Sequence, residues 1–109
     1  MTATQLPETA VVRISRGNFD PARLEEVQAM TAATSRYLIP AIKQLPGLIS
    51  YYAMTSPEGS TVHVSIWESD EHAQQMSRLK EMIVDARSDA ERAGVTFIPI
   101  INYPIGWTI

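Results

Sequence analysis

Between Ser60 and Trp67 the chain alternates Val62, Val64 and Ile66 with His63, Ser65 and Trp67. Successive side chains of a strand point to opposite faces. The stretch therefore predicts a strand with one aliphatic face and one face bearing an imidazole, a hydroxyl and an indole. The alternation stops at Glu68, and Ser69-Asp70-Glu71 follows. A hydroxyl cap with acids in the first turn, where the helix dipole favours negative charge, is the composition of a helix start. A two-faced strand that passes into a helix within two residues, and whose aliphatic side must be hidden, restricts the chain to layered helix-on-sheet architectures.

The other layers can be read in order. Thr9–Arg16 forms a first strand, with Ala10, Val12 and Ile14 on one face and Val11, Arg13 and Ser15 on the other. Gly17–Asp20 breaks it, Asp20 suits an N-cap and Pro21 suits the first helical turn. From Pro21 to about Gln44 the apolar spacing turns helical, through Leu24, Val27, Met30, Thr34, Tyr37, Leu38, Ala41, Ile42 and Leu45. Pro40 inside this run is expected to kink the helix or split off its last turn. Pro46-Gly47 ends the helix, and Leu48–Thr55 is a second strand. The turn Ser56-Pro-Glu-Gly59 then joins this strand to the Ser60–Glu68 strand as an antiparallel hairpin. The second helix carries Met76, Leu79, Ile83, Ala86, Ala90 and Ala93 on its apolar stripe, with Met82 beside it. A break is expected near Ser77-Arg78 and a stop at Gly94. Val95–Tyr103 is a fourth strand, apolar on both faces and so expected to be covered on both. Its Pro99 marks an edge or a bulge.

The order β-α-β-β-α-β predicts an α+β, ferredoxin-like fold: an antiparallel four-stranded sheet with both helices on one face. The aliphatic face left open is most cheaply hidden against a second copy, so a homodimer is expected. The apolar end Pro104–Ile109 adds Trp107 and Ile109 to the surface that needs a partner.

At 109 residues the chain reads as a loose tail over 1–8 and a single domain over 9–109. Its net charge of −3, with no run of Lys or Arg, gives no footprint for nucleic acid or for an anionic membrane. It has no cysteine, which excludes disulfides, thiolate metal sites and thiol nucleophiles. The first residues lack the basic start and apolar segment of a signal peptide, and no apolar run approaches the roughly 18 residues of a membrane span. A soluble, cytoplasmic protein is expected. The two histidines, His63 and His72, straddle a strand–helix junction in no recognised metal-ligand spacing. No glycine-rich phosphate loop and no Gly-x-Ser-x-Gly elbow occurs. Ser65 and His63 lack an orienting acid, so they do not form a nucleophile–base pair.

Three segments together carry a family likeness: Leu45-Pro-Gly-Leu48, Trp67-Glu68-Ser69 and Asp70-Glu71-His72-Ala73. Over about residues 9–103 the chain resembles the dimeric α/β barrel proteins of the antibiotic biosynthesis monooxygenase type. The resemblance implies a barrel-forming dimer with a pocket between sheet and helices in each subunit. That family includes oxygenases that oxidise polycyclic phenols without metal or flavin, quinol oxygenases and haem-degrading enzymes. Trp67 matches a tryptophan that lines the pocket of oxygenase members. The position four before it is often asparagine in those proteins and is His63 here. Haem-degrading relatives carry a ligand histidine about ten residues after the tryptophan, where this chain has Ser77 and Arg78. Arg78 or Arg87 would stand for an arginine that some oxygenase members use.

These readings assign catalysis to His63 and Trp67 and substrate binding to Ser65, Tyr37 and Arg78, with neither metal nor cofactor. The expected partner is a small-molecule ligand. Each residue also has a plainer reading. Trp67 serves equally as an anchor for the second helix, and His63 as a core histidine satisfied by Ser65 or a tyrosine. Arg13 in mid-strand reads first as a solvated edge residue; on a central strand it would need a carboxylate or an anionic ligand. His72 in a helix's first turn reads as a surface residue. Tyr51 and Tyr52 point to opposite faces, and a one-residue change of register exchanges them. The function expected is a cofactor-independent monooxygenase acting on an aromatic or polycyclic small molecule. The alternative is a non-catalytic ligand-binding or stress-related protein of the same fold. The space beside His63 separates the two: a ligand site of a few hundred cubic ångströms is expected for the first. Filling of that space by Met30, Tyr37, Met76 and Leu79 would oppose it.

Overall fold

A computed structural model describes residues 6–109, apart from the side chains of 80–84. The strands are β1 (Val11–Asn18), β2 (Leu48–Ser56), β3 (Ser60–Trp67) and β4 (Thr96–Pro104). They form one antiparallel sheet in the order β2-β3-β1-β4. A 3₁₀ turn at Pro21–Arg23 leads into α1 (Leu24–Lys43), with Asp20 accepting a bond from the Ala22 amide as its cap. After β3, Ser69 caps α2 (Asp70–Ala73). A 3₁₀ segment over Gln74–Arg78 and then α3 (Lys80–Arg92) complete the second helical layer. The chain is therefore ferredoxin-like, as its element order predicts.

Two expectations about the helices are refined. Pro40 does not split off the last turn of α1, which runs through it to Lys43. The second helix does break, at Leu79, just beyond the predicted Ser77-Arg78. Met82 and Ile83, expected on its stripe, lie outside the described side chains, as do residues 1–5 of the expected tail.

The register settles which side chains share a face. Tyr51 stands opposite Ser65, and Tyr52 opposite Val64. Tyr51 therefore joins His63, Ser65 and Trp67 on the helix-covered face, while Tyr52 lies on the open face, 54% exposed. A shift between Leu48 and Ser50 lets Leu48 stand opposite Trp67 on the covered side. A second shift, between Ile14 and Ile101 on one side and Arg16 and Ile98 on the other, surrounds Pro99 on the edge strand. Pro99 thus sits at both an edge and a bulge, where its missing N–H costs no ladder bond. Cover on both faces of β4 is not found among the described residues: Ile101 and Tyr103 are exposed, together with Tyr52 and Met54 of β2.

The core has two separate clusters. One gathers Val11, Leu38, Ile42, Ala73 and Met76 around Trp67, which is 0% exposed. The other gathers Phe19, Val27, Ala90, Ala93 and Val95. α1 contributes to both through Val27 at one end and Leu38 and Ile42 at the other. The turns between them carry Thr31 and Thr34, whose hydroxyls donate to the carbonyls of Val27 and Thr31 on the same helix.

The corner between α1 and β2 is tight. Gly47 has φ +82°, a left-handed conformation favoured by glycine, and a Cβ there would overlap the ring of His72. His72 is thus half-buried over Gly47, rather than the surface residue expected, and its Nδ1 lies 2.7 Å from the Ser69 Oγ. The Glu68 amide donates to the Gly47 carbonyl at 2.8 Å, and the Gln75 side chain donates to the Pro46 carbonyl at 2.7 Å. Gly47→Ala is expected to lower the unfolding free energy by about 1–3 kcal/mol, the scale of a non-glycine residue held at positive φ, as read by urea denaturation.

Candidate functional site

The gap between the two core clusters is a cavity. Its inner lobe, about 110 Å³, lies between the sheet and the helices and is lined by Arg13, Ser15, Tyr51, His63, Ser65 and Arg87, among others. An outer lobe of about 370 Å³ runs along α1 and β2. Leu38, Ile39, Ile42, Leu48 and Ala53 make it mainly apolar, with Lys43 also in its lining. Thr31, Thr34, Leu38, Tyr51 and His63 line both lobes, so the Tyr51–His63 pair stands where they meet. Met30 and Met76 belong to the wall of the inner lobe, while Tyr37 and Leu79 pack against the Trp67 cluster. The four residues that could have filled the space leave it open.

The polar groups are held by the sheet. Arg13, Ser65 and Tyr51 lie side by side across β1, β3 and β2, and Ser15, His63 and Ala53 form the next row. Adjacent strands are about 5 Å apart, so each group is within reach of its neighbours. The Tyr51 hydroxyl is 2.7 Å from His63 Nδ1, with the two rings edge to face at 5.7 Å between centroids. Trp67 Nε1 donates to the Ser65 Oγ at 2.9 Å, and Ser65 is only 2% exposed. His63 Nε2 has no hydrogen bond among the described residues.

Burial dominates the electrostatics. It pushes the Tyr51 phenol up to about 12, with Arg13 opposing the shift, so Tyr51 stays protonated at neutral pH. It lowers the Arg13 guanidinium from its usual value, with Tyr51 acting the other way. It also pushes the His63 imidazole down, which favours the neutral ring. Two neutral groups sharing one bond have two arrangements. If Tyr51 donates to Nδ1, the ring proton sits on Nε2, which then donates into the cavity. If Nδ1–H donates to the Tyr51 oxygen, Nε2 becomes an acceptor able to take a proton.

The residues singled out in the sequence are distributed unevenly over this site. His63 and Ser65 line the cavity. Trp67 is buried one row away in the core cluster and meets the site through its bond to Ser65. Tyr37 donates to Asp89 at 3.3 Å. Arg78 is exposed at the end of the 3₁₀ segment, and neither it nor Tyr37 nor Trp67 is part of the cavity wall. Arg87 does reach the wall, 4.9 Å above the Phe97 ring and 3.8 Å from Glu91. Tyr51 and Arg13 belong to the site on the strength of register alone. The one local sign of the cavity is the pair Thr31 and Thr34 in an otherwise apolar helix stripe. Among the described residues there is no cluster of His, Asp and Glu able to hold a metal, and no helix is long and apolar enough to cross a membrane.

The lowered affinity of His63 for a proton is linked to folding. Its folded-state value lies below the usual 6.5. As pH falls through the unfolded chain's ordinary value, about 6.5, the unfolded chain takes up a proton that the folded state resists, and stability is lost. Above it the contribution vanishes. His63→Gln is expected to flatten the decline in unfolding free energy between about pH 7.5 and about pH 5, measured by urea denaturation at each pH.

No family model matches the sequence, and neither does any curated protein. Solved structures do resemble it. SnoaB, a cofactor-independent oxygenase from Streptomyces nogalater, aligns at TM-score 0.61 and 18% identity, covering 93% of this chain and 97% of that one. A monooxygenase from the gene ActVA-Orf6 of Streptomyces coelicolor, in complex with nanaomycin D, aligns at 0.65 and 17%, covering 94% and 93%. A putative antibiotic biosynthesis monooxygenase from Deinococcus radiodurans aligns at 0.67 and 15%, covering 91% and 95%. The chain thus has the ferredoxin-like fold of antibiotic biosynthesis monooxygenase-type proteins.

Proposed function

We propose that the chain is a cofactor-independent monooxygenase acting on an aromatic or polycyclic small molecule, with His63 as its base. The observation that carries this reading is the Tyr51–His63 pair, bonded at 2.7 Å at the junction of the two lobes. Likeness to a cofactor-independent oxygenase and to a monooxygenase in complex with nanaomycin D supports it. Residues 9–109 act in it as one domain.

The chemistry asks little of the protein beyond a base, a dry pocket and orientation. In the arrangement that leaves Nε2 free, His63 takes the acidic proton of an anthrone or hydroquinone. The resulting carbanion-like phenolate gives one electron to O₂. The radical and superoxide then combine at carbon as a peroxide, and loss of water leaves a carbonyl. For an anthrone the balance is CH₂ + O₂ giving C=O + H₂O. Tyr51 supports the imidazolium by accepting from Nδ1–H. Ser65 lines the cavity beside this pair, while Trp67 fixes Ser65 and reaches the reaction only through it. Tyr37 and Arg78 have no part in this scheme.

The open sheet face, with Tyr52, Met54, Ile101 and Tyr103 exposed, supports a homodimer formed by that face. Sedimentation at micromolar concentration is expected to give twice the 12.1 kDa chain mass, and a clean monomer would remove the dimer.

Oxygen uptake with anthrones or hydroquinones tests the reaction. His63→Ala is expected to lower turnover by about 10²-fold or more, the usual scale for a lost general base. Tyr51→Phe is expected to have a smaller effect, because the base remains. Unchanged turnover in the His63 variant would take His63 out of the mechanism. Ligand binding without oxygen uptake by the wild type would make the protein a binding module of the same fold.

A further inference from the structure

The cavity is charged in one sense only. Although the chain is net negative, the described wall residues of the two lobes include Arg13, Arg87 and Lys43 and no Asp or Glu. The cations are not equivalent. Arg87 already has Glu91 and the Phe97 ring, and Lys43 is exposed at the end of α1. Arg13 is partly buried on a central strand, and among the described residues it makes neither an ion pair nor a side-chain hydrogen bond. Asp70, close to Asn102 on the strand beside Arg13, accepts from Asn102 and Gln74. A guanidinium removed from water without a partner is costly, and it persists where something outside the chain completes it.

We propose that the inner lobe is an anion subsite in which Arg13 pairs with a carboxylate of the substrate. The proposal rests on the oxygenase reading for its substrate and extends it to an acid-bearing aromatic compound. The lobes differ in size and in their polar lining. At about 110 Å³ the inner lobe suits a carboxylate and its attachment, whereas the apolar outer lobe, at about 370 Å³, suits fused rings. A molecule bound in this sense lays its rings beside the Tyr51–His63 pair, with the acid beyond them in the inner lobe. Ser15, two residues from Arg13 on the same strand face and also in the inner wall, supplies a hydroxyl donor to the same carboxylate. The guanidinium fork matches the two oxygens of a carboxylate, which distinguishes an acid from its neutral amide.

The test is binding rather than turnover, so it stands or falls separately from the oxygenase reading. Anthraquinone-2-carboxylate and its carboxamide are titrated by calorimetry into the wild type and into Arg13→Gln, Arg13→Lys and Arg87→Gln. The wild type is expected to prefer the acid by about tenfold or more, the scale of a charge-assisted bond. Arg13→Gln is expected to abolish the preference while leaving amide affinity unchanged, Arg13→Lys to keep part of it, and Arg87→Gln to keep it. Arg13→Gln is expected to melt no lower than the wild type, since it removes an uncompensated charge. Equal affinity of the wild type for acid and amide, or no binding of either, overturns the proposal without need of any variant. So does a preference that survives Arg13→Gln or disappears equally in Arg87→Gln. An acid preference that follows Arg13 in a protein with no oxygen uptake would uphold the subsite and discard the oxygenase.

Discussion

Thr31 and Thr34 on α1 sit where an unbroken apolar stripe would close the core. Their hydroxyls bond back to the helix's own carbonyls, so they need no partner across the gap and contribute little apolar bulk to it. On either side the same helix buries Val27 among one cluster and Leu38 and Ile42 among the other. The two-part core is therefore a stable arrangement with a space in the middle, and the sheet beneath that space carries the polar row. Everything chemical about the molecule depends on this interruption, because filled by leucines it would leave His63 and Tyr51 as packing residues.

The sheet turns that space into a site. Its rigid rows set Arg13, Ser65 and Tyr51 abreast, and Ser15 beside His63, with no loop to order first. Trp67 supports the arrangement from outside by donating to Ser65. An indole at the strand–helix junction thereby combines two roles that the sequence leaves as alternatives: it anchors the second helical layer and holds one of the cavity's polar groups. The cost appears as desolvation, which lowers proton affinity at His63 and Arg13 and raises it at Tyr51. Among the described residues the partly buried Arg13 guanidinium has no carboxylate partner, and its burial costs stability.

Much of the fold was legible because it depends on local periodicity. Alternation along Ser60–Trp67, the 3–4 spacing through α1 and the turn at Ser56–Gly59 each follow from short-range geometry. The departures were equally physical. Pro40 was accommodated within α1, and the second helix broke only after a 3₁₀ segment. Arg78 and Tyr37 are good ligand residues by type, but Arg78 falls on an exposed turn and Tyr37 on a contact to Asp89. Residue type alone gives no direction to a side chain, and on a helix one position turns it by about 100°.

What the sequence determined by itself is the element order, the two-faced character of β3 and hence His63 and Ser65 together on one side. Those are properties of a single strand and of neighbours in the chain. What only the tertiary structure decided is which residues of other strands and helices join them. Tyr51 rather than Tyr52 meets His63 because the hairpin pairs Tyr51 with Ser65, and a shift of one residue would have reversed the choice. Arg13 enters the cavity because β1 lies beside β3, at a sequence separation of about fifty residues over which no periodicity carries information. Pairing across strands is fixed by the simultaneous burial of both faces, a condition that belongs to the folded chain as a whole.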